Sequence, residues 1–119
     1  GCVVTWGRWQ CPYAGQTFTK ASDLDIDHIV PLKHAHGHGG DQWTREQRQA
    51  FANDPINLLP VSDNENQSKG AKGPDSWKPG NLDYWCEYAE RWQAVKKKYR
   101  LYLTPPEVRA LNEMEQTCD

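Results

Sequence analysis

"DLDIDHIVPL", residues 23–32, is the stretch on which the reading of the chain turns. Leu24, Ile26 and His28 alternate with Asp23, Asp25 and Asp27, the period of a β-strand whose successive side chains point to opposite faces. Aspartate is a poor strand former. Three of them in five positions cost stability unless they face water or a cation. Pro31 ends the segment, since proline has no N–H to give to a ladder. A strand that tolerates these residues reads as a place where chemistry is carried.

The flanking elements follow from local signals. "INLLPV" (56–61) is a second short apolar strand, and "SDNENQSKG" follows it. There Ser62 and Glu65 form a capping box and Gly70 a stop, which predicts a helix over 63–69. Between the strands, "KHAHGHGGDQW" (33–43) reads as a His- and Gly-rich loop. Thr44, with Gln47 three residues on, caps a short helix closed by Pro55. Residues 1–22 read as short strands and loop, and 71–81 as loop. Trp85, Tyr88, Trp92, Val95 and Tyr99 make one stripe on a helix over 83–100. Thr104-Pro105-Pro106-Glu107 opens a last helix, with Val108, Leu111 and Met114 expected inward. The expectation is an α+β domain over 1–119, with its motif in 23–70 and a helical pair in 83–118.

Composition narrows the function classes. At 119 residues, 37% hydrophobic, with mean hydropathy −0.92 and 25% charged residues, the chain has a soluble balance. No apolar run approaches membrane-spanning length, so no membrane partner is expected, and no leader peptide is read at its start. The net charge of −2 does not announce a nucleic-acid binder. A polyanion-binding surface must then come from local arrangement or from a bound metal. The cysteines are Cys2, Cys11, Cys86 and Cys118, without a C-x-x-C pair. Of three possible pairings we read Cys2–Cys11 and Cys86–Cys118, which implies a secreted or periplasmic protein. Four reduced thiols in a cytosolic protein is the alternative.

Asp27-His28 on the first strand, Asn57 at the second and Asn66 on the helix can converge if the strands pair and the helix crosses them. Asp and Asn offer hard oxygen ligands that suit Mg²⁺, which keeps waters and accepts phosphate oxygens. A neutral His beside such a metal can take a proton from water. Lys69, one turn after Asn66, is positioned to meet a phosphate. Arg45 and Arg48 are further phosphate candidates.

"DHIVPL … DPINLLPVSDNENQSKG" resembles the HNH endonucleases, the ββα-metal nucleases. The HNH domain of the RNA-guided CRISPR nucleases has the same D-x-D-H-I-V-P run and asparagine spacing. A closer resemblance is to small secreted bacterial HNH proteins, which share "FANDP-NLL", the "N-x-x-KG" run, a Trp-Pro segment and a cysteine-bearing terminal helical pair. It covers roughly residues 13 to 118. The departure is Cys11, where that group more often has an acidic residue.

The resemblance implies a ββα-metal core with a disulfide-stapled C-terminal helical pair. It implies His28 as general base, Asp27 and Asn66 as metal ligands, Asn57 as the residue that steadies the loop and the catalytic His, and Lys69 as the motif lysine. The cofactor would be Mg²⁺, with Mn²⁺ able to substitute. The substrate would be DNA, with RNA also open, cut with little sequence preference to leave 5′-phosphate ends. A monomer is expected.

For Asp27 and His28 to serve one site, the strand must twist, bulge or end near them. The rival reading is a non-catalytic metal-binding module using His34, His36 and His38. Against that, the run reads as a mobile loop with solvated imidazoles. A third reading is a structural or inhibitor-binding domain with a dead site.

Overall fold

The computed structural model describes Val3–Thr5, Arg8–Gln10, Tyr13, Thr17–Phe18 and residues 24–119. The expected Cys2–Cys11 bond lies outside the described residues. Strands β1 (Val3–Thr5), β2 (Arg8–Gln10) and β3 (Thr17–Phe18) form an antiparallel sheet in that order. β4 (Leu24–His28) pairs antiparallel with β5 (Leu58–Ser62) in a separate ribbon. The register runs unbroken from Leu24 opposite Ser62 to His28 opposite Leu58. The strand therefore ends at His28 without a bulge.

Between the ribbon strands lie α1 (Leu32–Gly37) and α2 (Arg45–Ala52); after them come α3 (Asp63–Lys69), α4 (Trp85–Lys98) and α5 (Pro105–Glu115). α3 has the expected bounds and packs on both ribbon strands. The Ser62 hydroxyl accepts from the Glu65 amide, and Gly70 leaves the helix at φ +54°, a conformation side chains rarely allow. The boxes at Thr44 and Thr104 both form, with reciprocal bonds to Gln47 and Glu107. "INLLPV" begins differently from the expectation: Pro55–Asn57 is a 3-10 turn capped by Asp54, and the strand starts at Leu58.

Two further expectations are corrected. The His-rich segment is helical rather than a mobile loop: Pro31 stands before the first turn of α1, and His34 and Ala35 are buried. Val108 is exposed; α5 turns Glu107, Ala110, Leu111 and Met114 inward. On α4, Tyr88, Trp92 and Val95 are fully buried, with Trp85 and Tyr99 packed at the margin. Tyr13 lies at the centre of the core, its ring 5.4–5.7 Å from those of Trp77, Tyr84 and Tyr88. A Cys86–Cys118 disulfide joins the start of α4 to the segment after α5. No described helix is long and apolar enough to cross a membrane.

Candidate active site

The ribbon has two unlike faces. Ile26 is 60% exposed, whereas Asp27 is 4% exposed and lies opposite the fully buried Leu59. Asp25 lies opposite buried Val61. The aspartate face is thus the inner one, and the cation it needs comes from α3. Lys69, 0% exposed, sits 3.2 Å and 3.0 Å from the two oxygens of Asp27 and donates to the His28 carbonyl at 2.8 Å. The Tyr13 hydroxyl donates to Asp27 Oδ2 at 2.8 Å. One turn earlier on α3, Asn66 Nδ2 donates to Asp25 Oδ2 at 3.3 Å. Two strand positions span roughly 6.6 Å and three helical positions about 4.5 Å, so Asn66 and Lys69 can meet Asp25 and Asp27 as parallel pairs.

Burial raises the pKa of Asp27, opposed by the Lys69 charge and the bonds from Tyr13 and Lys69; the nearby His28 acts in the same lowering direction. Burial lowers that of Lys69, opposed by Asp27. Lys69 is therefore corrected from a phosphate contact to a buried counter-ion: its ammonium has no access to solvent and three oxygens already around it.

His28 points to the other face. It is half-buried, and its Nε2 lies 2.8 Å from the Ala52 carbonyl at the end of α2. A carbonyl only accepts, so Nε2 carries the proton and Nδ1 of the neutral ring keeps its lone pair. Asn57 is fully buried and behaves like a length of strand: its Oδ1 accepts from Val30 N at 2.8 Å, and its Nδ2 donates to Val30 O at 3.0 Å. Its carbonyl also accepts from Ile29 N at 2.9 Å. It thereby fixes the chain just beyond His28.

Arg45 and Arg48 are exposed on α2 and, with His36, line a cavity of about 340 Å³. Asp54, unread in the sequence, anchors the α2–β5 connection to α4 through Lys98 and Tyr99, both at 2.5 Å. Tyr13 and Asp25 were equally unread as site residues. The Asp25-x-Asp27 spacing was a signal for the second carboxylate, whereas nothing local marks Tyr13.

The histidines of the rival reading separate. His34 and His38 stack with rings 3.8 Å apart, while His36 is exposed. His34, His38 and Glu107 lie close enough to share an ion. Glu107, however, already accepts from Lys96 at 2.7 Å, Trp92 at 2.6 Å and the Thr104 amide at 3.1 Å. A buried ammonium at that distance opposes a divalent cation.

Residues 2–113 match the family described as the C-terminal domain of GmrSD restriction endonucleases, and the chain belongs to this HNH-type family. The chain is 51% identical over 119 residues to an uncharacterized secreted protein of the fungus Arthroderma benhamiae. That alignment takes in 98% of the chain and 58% of the relative, so the chain spans a little over half the length of that relative. The relative is fungal, whereas the resemblance drawn from the motifs runs to bacterial proteins. The relative's description and the Cys86–Cys118 disulfide agree on a secreted protein. No solved structure matches.

Proposed function

We propose that the chain is a metal-dependent HNH endonuclease that hydrolyses phosphodiester bonds of DNA, and of RNA as a second substrate, leaving 5′-phosphate ends. Residues 1–119 act as one nuclease domain, with β4, β5 and α3 as its ββα-metal core. The observation that carries this reading is the anchoring of His28: Ala52 holds Nε2–H, which leaves Nδ1 as a base at the end of the ribbon, on the face opposite the Asp27 side chain.

Asp25, Asp27 and Asn66 bring hard-oxygen donors of the kind Mg²⁺ takes to one side of the ribbon. The Lys69 ammonium, 3.0–3.2 Å from the two oxygens of Asp27, opposes a divalent cation there as Lys96 does at Glu107, so Asp25 and Asn66 are the less encumbered donors. Asp25 and Asn66 would hold Mg²⁺ or Mn²⁺ with Asp27 beside them, and the ion would polarise the phosphate and offset charge on the leaving oxygen. His28 Nδ1 takes a proton from water, whose oxygen attacks phosphorus in line as the 3′ oxygen departs. Asn57 keeps the imidazole in place by fixing Val30. Asp27 is held inside the fold as the partner of Lys69 and Tyr13.

The test is plasmid cleavage by the wild-type chain and His28→Ala, each with Mg²⁺, Mn²⁺ or EDTA. Cleavage should require metal and fall by about 10²- to 10⁴-fold in the variant. Absence of wild-type cleavage with every metal would overturn the reading.

A further inference from the structure

The cavity between α1 and α2 has carbon walls and cationic side chains. Leu32, Trp43, Phe51 and Ala52 line it together with the exposed Arg45 and Arg48 and with His36, and none of the described carboxylates does. Phe51 and Trp43 are ring neighbours at 5.0 Å and are backed by Tyr99. Ala52, one wall, is the residue whose carbonyl holds His28. We infer that this cavity receives one unpaired nucleobase of a single-stranded nucleic acid, next to the phosphodiester presented to His28. The inference rests on the nuclease reading and adds a substrate preference to it.

Size and chemistry both select this occupant. At about 340 Å³ the cavity lies at the small end of ligand pockets, enough for a base with its sugar and too small for a stacked pair. Aromatic and aliphatic walls suit the face of any base. Two guanidiniums and an imidazole in the lining suit the phosphates on either side, and the exposed Gln49 amide can meet a base edge. The overall charge is −2, so this local cation cluster is where a polyanion gains attraction. A base inside a duplex would first have to be unstacked and turned out, which costs free energy that a single strand does not spend.

The experiment uses His28→Ala to prevent cleavage and fluorescence anisotropy to read binding. The probes are a labelled short single-stranded DNA, its duplex, and an abasic strand of equal length. The single strand should bind about tenfold more tightly than the duplex or the abasic strand, within the range that base stacking supplies. Adding Leu32→Trp, at a position 48% exposed, should plug the cavity and remove that advantage while abasic binding is retained, which shows that the fold is intact. Adding Arg45→Ala and Arg48→Ala should weaken all three probes and flatten their salt dependence. Equal binding of all three probes, or a single-strand advantage that survives Leu32→Trp, would overturn the inference. Neither result touches the nuclease reading, which stands or falls on cleavage by the wild-type chain.

Discussion

Lys69 is an ammonium placed where water cannot reach it, and only Asp27 makes that tolerable. Desolvating two charges is expensive, and their attraction repays it only when the remaining donors and acceptors are also met. Here Tyr13 takes up the second carboxylate oxygen and the His28 carbonyl a further ammonium proton. Removing one partner strands the other. Lys69→Met should therefore cost about 3–5 kcal/mol in urea unfolding and lower cleavage with it. A lysine that only touched substrate phosphate would leave stability within about 0.5 kcal/mol of wild type, and that outcome would refute the counter-ion role. Asn57 illustrates the same economy with neutral groups. One amide side chain satisfies both the N–H and the C=O of Val30, which the ribbon no longer reaches. Asn57→Ala should leave both buried, at about 1–3 kcal/mol for each group, a loss that chemical denaturation would measure.

Among the elements, the ribbon and α3 carry the motif, while α4 and α5 form a clamp at their back. Arg91 of α4 reaches the Ile56 carbonyl and Lys98 reaches Asp54, so the long helix holds the turn that leads into β5. The Cys86–Cys118 bond ties the two clamp helices across 32 positions. Closing a loop of that length removes about 3–4 kcal/mol of unfolded-state entropy. A Cys86→Ser, Cys118→Ser double variant should lose about that much stability, seen as a lower Tm. Cleavage well below the new Tm should persist, because the contacts of the two cysteines run to each other and to Glu90 rather than to the site residues. Loss of cleavage in a variant still folded by circular dichroism would mean that the clamp positions the site directly.

For the whole molecule, acid is the vulnerable direction. Burial holds His34 below its ordinary 6.5, so it is neutral inside and must charge on unfolding. Burial would raise Glu107, but the nearby His34 imidazole, 3.7 Å away, and bonds from Lys96 and Trp92 bring it to about 2, against an ordinary 4.5. Asp54 is lowered by Lys98 and Tyr99. All three have folded values below their unfolded ones. Their contribution is present above the unfolded pKa and is lost as pH falls through the folded one. Asp27, raised by burial, has the opposite sign and offsets part of the loss. The Tm should hold steady above about pH 7, begin to fall near the ordinary His value, and drop more steeply below the ordinary Glu value. Calorimetry from neutral to acid pH would show it; a Tm that rose on acidification would contradict the Glu107 and His34 assignments.

Local rules carried much of this fold. Caps at Thr44, Ser62 and Thr104, the stop at Gly70 and the helical stripe from Trp85 to Tyr99 depend on residues within a few positions of one another, and the structure realises each of them. The order and spacing of Asp27, His28, Asn57 and Asn66 were legible for the same reason, since a motif is read along the chain. Period two predicted that β4 has two unlike faces but not which one is inside, because the apolar face would ordinarily be buried. The decision came from Lys69, 42 positions away, and Tyr13, 14 positions away, which make burial of Asp27 tolerable and leave Ile26 outside. Packing likewise made a helix of the histidine segment, turned Lys69 inward and placed Arg45 and Arg48 in the lining of an apolar cavity. Periodicity is a property of neighbours along the chain, whereas burying a charge depends on which distant group arrives to meet it, and only the tertiary structure decides that.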